Sequence, residues 1–204
     1  MLRLTDLTVS YGERTALAPL SLEVPSGQLV AVTGPSGSGK TSLLLAIAGR
    51  VPARGEIVLD DRALRPSDIA LVPQGNHLAR VLTASENIAL PLAATGTADP
   101  VRIADAALHT VGLGESGNHL VEELSGGQQQ RVAVARALAR SAAVVLADDC
   151  TSDLDGANRE KVLAALRAEA RRGAHVLCAT NDLDAAAECD AHLALDEGVV
   201  SRVR

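Results

Sequence analysis

The run Gly34-Pro35-Ser36-Gly37-Ser38-Gly39-Lys40-Thr41 decides how this chain is read. It fits the pattern G-x-x-x-x-G-K-[ST], which carries weight only between a strand and a helix. The apolar stretch Leu29-Val30-Ala31-Val32 precedes it, and Leu43-Leu44-Leu45-Ala46-Ile47-Ala48 follows. The spacing therefore predicts a strand, a phosphate-binding loop and a helix. Glycines let backbone N–H groups turn inward around phosphate oxygens, where a side chain would block the approach. Lys40 brings a mobile positive charge to the outer phosphates, and the Thr41 hydroxyl is placed for a magnesium ion. A helix starting near Lys40 aims its positive end at the anion. The expected contacts are Gly34, Ser36, Gly37, Ser38, Gly39, Lys40, Thr41 and Ser42.

The 204 residues suit one domain, or one domain with an insertion, and 47% of them are hydrophobic. That is enough for a substantial core and argues against disorder. A net charge of −6 gives no support to a nucleic-acid-binding face. No apolar run approaches the roughly 18–20 residues of a membrane span. The stretch Met1–Asp6 lacks the apolar core of a signal sequence. A cytoplasmic setting is expected, with any membrane link made through a partner. Cys150, Cys178 and Cys189 form no C-x-x-C pair, which fits reduced, idle thiols. The five histidines are scattered and read as surface or packing residues. Phe and Trp are absent and Tyr11 is the only Tyr, so its location matters.

The opening segments Leu2–Val9 and Ala16–Val24 read as strands joined by a turn at Tyr11–Arg14. Further strands are expected at Gly55–Leu59 and Ile69–Val72. From Thr83 to Leu138 the signals are helical. Thr83-Ala84-Ser85-Glu86 forms a capping-box pattern. Pro100 suits the first turn of a helix reaching about Val111. Ser125 suits the cap of a helix from Gly126 to about Ala139. Strands return at Ala143–Ala147 and His175–Thr180, separated by a helix from Gly156 to Arg172. A hairpin at Ala191–Leu195 and Val199–Val203 ends the pattern. Strand–helix–strand alternation predicts an α/β fold, with a parallel sheet covered on both faces. The expected layout is a P-loop core over about 1–74 and 140–204, a small antiparallel region at its start, and a helical insertion over about 75–139.

Leu124-Ser125-Gly126-Gly127-Gln128 reads by itself as a helix N-cap. Beside a phosphate loop it resembles the signature of the ATP-binding cassette (ABC) ATPases. In that family two subunits pair head to tail, and each ATP lies between the phosphate loop of one and the signature of the other. The resemblance implies that Ser125, Gly126, Gly127 and Gln128 act on a nucleotide held by a second subunit. Val72-Pro73-Gln74 resembles the Q-loop, whose Gln74 would touch Mg²⁺ and report to a membrane partner. Val144–Asp148 resembles the Walker B strand, with Asp148 as a metal ligand. Ser152-Asp153-Leu154-Asp155 resembles the D-loop, and Asp155 would cross to the other subunit. Tyr11 stands where the family stacks an aromatic on adenine; packing is the other reading of it. The run Leu82–Leu92 is similar to the lipoprotein-releasing, macrolide-export and cell-division ATPases.

Two catalytic positions depart from the pattern. Asp149 follows Asp148 where the family has the general base Glu, and Cys150 then replaces Pro. Asn181 stands at the switch His. Asp149 keeps a carboxylate but withdraws it by one methylene, and a displacement near 1 Å can cost ~10²-fold in rate. Asn181 donates a hydrogen bond but cannot become cationic. The expectation is near-normal ATP binding with slowed hydrolysis, Lys40, Gln74, Asp149 and Asn181 being the catalytic set. The resemblance implies an ATPase subunit coupled to permease subunits on the inner face of a membrane. An ATP-gated regulatory clamp that acts on a membrane or envelope partner without transport is the alternative. The sequence leaves homodimer and heterodimer open. Arg131, Arg136 and Arg140, on the helix after the signature, read as a solvated face, with a role near the dimer seam as the other reading.

Overall fold

The computed structural model describes residues 1–204. Two sheets organise it. The first pairs β1 (Leu2–Tyr11), β2 (Arg14–Val24), β4 (Arg54–Leu59) and β5 (Arg62–Ala63) antiparallel, in the order β2-β1-β4-β5. In β1 the inward residues are Leu2, Leu4, Leu7 and Val9. Strict alternation would turn Asp6 inward instead. A register shift between Leu4 and Leu7, with Asp6 at φ 48°, resets the phase and keeps the acid out.

The second sheet contains β3 (Leu29–Thr33), β6 (Ile69–Val72), β7 (Val144–Asp148), β8 (His175–Ala179), β9 (Ala191–Asp196) and β10 (Val199–Arg202). Its order is β10-β9-β3-β8-β7-β6, parallel except for the edge strand β10. The strands β3, β7 and β8 are buried along their whole length, which is why they read as unbroken apolar runs. Their alternate side chains feed two cores. Val30, Val32, Leu146 and Leu177 pack with α1 (Lys40–Ile47) beneath the antiparallel sheet. Ala31, Val145, Ala147 and Val176 face α4 (Gly126–Leu138), α5 (Gly156–Arg171) and α6 (Leu183–Ala187).

Between β6 and β7 the chain runs through α2 (Ala84–Ala94), α3 (Pro100–Thr110) and α4. The helix α2 packs on α3, and both reach α4. Ala84, Ile88 and Leu108 belong to the same buried cluster as Val145, so these helices share a core with the sheet. The caps form as the sequence predicts. Thr83 Oγ1 accepts from the Glu86 N–H at 3.1 Å, and Glu86 Oε2 accepts from the Thr83 N–H at 2.8 Å.

The sequence reading did not anticipate the short α6. Asp182 nucleates it by accepting from the N–H groups of Asp184 and Ala185. The solvated face expected of the α4 arginines is corrected. Only Arg140 is exposed. Arg131 is 7% exposed and donates to the Val111 carbonyl. Arg136 donates to the carbonyls of Asn76 and His77 at 2.7 Å, tying α4 to the loop after β6. The three cysteines are buried and free. Two of the histidines have partners within the fold: buried His175 Nδ1 meets the Val24 carbonyl, and half-buried His192 Nε2 meets Thr33 Oγ1.

Candidate functional site

The carboxyl ends of β3, β7 and β8 open onto one cleft of about 420 Å³. Its floor is the loop from β3 to α1. Gly39 has φ 109°, and a Cβ there would lie 2.5 Å from the Ala16 carbonyl oxygen. At Gly34 a Cβ would lie 2.0 Å from the Leu195 carbonyl oxygen. Both glycines are therefore required by the loop's seat on β2 and β9, in addition to any close approach of a phosphate. Helix α1 starts at Gly39 with no side-chain cap and no acid in its first turn, so its leading N–H groups face the cleft unspent.

Ser36, Gly37, Gly39, Lys40, Thr41 and Ser42 all line the cleft. Gly34 and Ser38 do not; Ser38 is 3% exposed with its hydroxyl turned to the interior. Lys40 Nζ donates to the carbonyls of Gly34 at 2.7 Å and Pro35 at 3.0 Å. Partial burial lowers its pKa, against the pull of Asp148 and Asp149. Burial also pushes the Asp148 carboxyl up and the nearby Asp149 charge adds to this, while the Thr41 hydroxyl and Lys40 oppose it. Hydroxyl, carboxylate and amide oxygens of Thr41, Asp148 and Gln74 all border the cleft. Hard oxygen donors of this kind fit Mg²⁺. The chain has no group of three His, Cys, Asp or Glu that would hold a metal alone. A magnesium ion here would take its remaining ligands from phosphate and water.

Asp149 follows β7 in a left-handed turn at φ 51°, a geometry that Asp tolerates better than most residues. Its N–H donates to the Ala179 carbonyl, and its own carbonyl accepts from Gln130 Nε2 and Ser152 Oγ. Asn181, exposed at the end of β8, faces Asp149 across the same cleft. Tyr11 stands at the rim, 46% exposed, with its hydroxyl 3.4 Å from Ser42 Oγ. Arg14 was missed by sequence reasoning. It also lines the cleft, and its pairing with Tyr11 in the β1–β2 hairpin is the signal that would have found it.

The signature residues and Asp155 stand apart from the cleft. Ser125 caps α4, accepting from the Gln128 N–H at 3.3 Å while Gln128 Oε1 accepts from the Ser125 N–H at 2.9 Å. Ser125 and Gly126 are exposed. Gly127 sits close to Asp153 and Leu154, and Asp155 caps α5 through the Asn158 N–H. One chain thus carries a cleft at the start of α1 and, elsewhere on its surface, a second helix start built from Ser and Gly.

Comparison with known proteins matches residues 17–152 to the ABC transporter family model. This chain belongs to the ABC transporter family. The ABC cassette is 42% identical over 202 residues to the lipoprotein-releasing system ATP-binding protein LolD of Maricaulis maris, covering 92% of this chain and 88% of that protein. It is 36% identical over 216 residues to the methionine import ATP-binding protein MetN of Brucella abortus, covering 98% of this chain. The chain spans 58% of the length of that relative. Among solved structures, MJ0796, a bacterial ABC transporter cassette determined as a dimer, superposes with a TM-score of 0.89 at 32% identity over 100% of this chain and 99% of its own. A post-hydrolysis form of the same cassette, bound to ADP and phosphate, gives 0.88 at the same identity and coverage.

Proposed function

We propose that this chain is the ATP-hydrolysing subunit of an ABC transporter. Two such subunits would close head to tail on two ATP molecules, and hydrolysis would reopen them. The supporting observation is the division within one chain. The cleft gathers Tyr11, Lys40, Thr41, Gln74, Asp148 and Asp149, while the Ser125–Gln128 turn lies outside it, with Ser125 and Gly126 exposed. A turn with that chemistry serves a nucleotide only if the nucleotide belongs to another subunit.

The uncapped start of α1 and Lys40 would grip the β- and γ-phosphates. Tyr11 would offer its ring to adenine. Mg²⁺, when bound, would neutralise charge on the phosphate oxygens, held by Thr41, Gln74 and Asp148. Asp149 would orient the attacking water from one methylene further back than a Glu. Asn181 would donate to the γ-phosphate without gaining charge. Both changes weaken the hydrolytic end and leave the grip intact, so binding is near normal and turnover slow. Ser125, Gly126, Gly127, Gln128 and Asp155 would act across the subunit boundary.

A groove of about 690 Å³ runs between α1 and α4, floored by Leu45, Ile69 and Leu71. Arg50, Arg136 and Arg140 line it, together with Pro73 beside Gln74. That combination suits a permease segment carrying carboxylates and an apolar face. The helical segment 75–139, set into the core of 1–74 and 140–204, would carry the motion. The subunit would then lie on the cytoplasmic face of a membrane, held there by the permease. No helix of the chain is long and apolar enough to cross a membrane.

Native mass spectrometry of the complex extracted from membranes tests this. The expected species contains two ATPase subunits and integral membrane subunits. A species with one ATPase subunit, or with no membrane protein, would overturn the reading.

A further inference from the structure

Gln130 lies on α4, five residues beyond the Ser125 cap. A glutamine on a helix ordinarily keeps its amide in water. This one is 5% exposed. It reaches across to the loop after β7, where Nε2 donates to the Asp149 carbonyl at 2.8 Å. Its own Oε1 is buried with no hydrogen-bond partner. Two residues past Asp149, the Thr151 hydroxyl is 2% exposed and unpartnered as well. Buried polar atoms left without partners oppose folding, and a buried amide of this kind calls for a specific explanation.

The backbone of Asp149 supplies one. Its left-handed turn is held by three hydrogen bonds. The bond to Ala179 comes from β8 and the bond from Ser152 is local. The third, from Gln130, is the one that joins Asp149 to the helix carrying the signature. Beyond its first turn α4 contains neither Gly nor Pro, so it moves as a rod. A displacement at Ser125 reaches residue 130 about 7 Å along the axis. A shift near 1 Å lengthens the amide–carbonyl bond past the range of a hydrogen bond unless Asp149 follows.

We propose that Gln130 is a positioning residue that fixes the backbone of Asp149 from α4. When Ser125–Gly127 closes on a nucleotide held by a second subunit, α4 shifts and the Asp149 carboxylate in this chain's own cleft is re-aimed. Each cleft would then sense, through Gln130, whether the neighbouring cleft is filled. This rests on the two-subunit reading above.

The test is Gln130→Met in the full chain, which keeps the volume and removes the donor. Two quantities are read: hydrolysis by the assembled protein, and hydrogen exchange of segment 148–154 with and without MgATP. The expected result is kcat about ten-fold lower with KM for ATP within about two-fold of wild type. Segment 148–154 exchanges faster in the ligand-free variant and loses the slowing that MgATP gives the wild type, while β7 upstream of it exchanges as before. Wild-type kcat together with wild-type exchange overturns the positioning role. If the wild type binds MgATP but neither associates nor hydrolyses, the two-subunit reading fails instead. The ligand-free exchange still decides the positioning role in that case, and equal exchange in the two chains overturns it.

Discussion

Two helix starts in this molecule carry nearly the same small-residue chemistry and differ in how far side chains tie down their backbone donors. At α1 the N-cap is Gly39, left-handed and without a side-chain bond, so the leading N–H groups are left for a ligand. At α4 the N-cap is Ser125, and the Ser125–Gln128 capping box ties down the N–H groups of Ser125 and Gln128, leaving those of Gly126 and Gly127 open. The first site is incomplete without an anion. The second is tied down in part within the free chain, and on the proposed reading its Gly126 and Gly127 donors would serve a nucleotide held by another subunit. On the proposed reading a single subunit would bind nucleotide through the cleft at α1, and α4 would contribute its remaining donors only on association.

The strongest challenge to that contrast is Lys40→Ala. It removes the charge that α1's cleft holds over Gly34 and Pro35, and should weaken MgATP binding by about 100-fold in a titration of the single subunit. Ser125→Ala should leave that titration unchanged. Gly39→Ala comes next in size. A Cβ at φ 109° pressed on the Ala16 carbonyl should cost about 2 kcal/mol in denaturant unfolding, since the loop cannot yield without moving β2. A smaller effect follows from Ser125→Ala, which removes the cap of α4. It should cost about 1 kcal/mol and lower Tm by roughly 2–4 °C. If Ser125→Ala proved as stable as wild type, the capping box would not hold the turn in the free chain and the contrast would dissolve.

The smallest effect is the pH dependence. Burial works against ionisation of Asp182, but the backbone N–H of Ala185, Arg159 at 2.8 Å and the N–H of Asp184 outweigh it and bring its pKa below 3.8. The carboxylate therefore adds stability above pH 3.8, and this is lost as pH falls through the lower folded value. Asp148 has the opposite sign. Its folded pKa lies above 3.8, so its ionisation opposes folding as pH rises through that interval, and Mg²⁺-dependent nucleotide binding should weaken as pH falls back through it. Asp182→Asn should flatten the acid limb of stability by about 1 kcal/mol or less, measured by thermal unfolding between pH 3 and 5.

Much of this was legible in the sequence because the signals are local. The phosphate loop sits between two apolar runs, Thr83 and Ser125 announce their caps, and β3, β7 and β8 read as continuous buried strands. What escaped depends on the third dimension. Arg131 and Arg136 have the spacing of a wet helix face, yet they satisfy carbonyls of loops far along the chain. Gly34 and Gly39 read as phosphate contacts, but their lack of Cβ also seats the loop against β9 and β2. The register slip at Asp6 is invisible until β1 finds β2 and β4. Gln130 looks like one of three equivalent glutamines, and only burial singles it out.

In the proposed function the cleft would grip nucleotide as well as a family member should and hydrolyse it slowly, because the Asp149 carboxylate stands one methylene short. Single-turnover hydrolysis of MgATP already bound to the assembled complex, wild type against Asp149→Glu, measures this directly. The account predicts a rate at least about ten-fold higher for Asp149→Glu with an unchanged dissociation constant for ATP. Equal rates in the two, or a gain in rate that follows a gain in affinity, would contradict it.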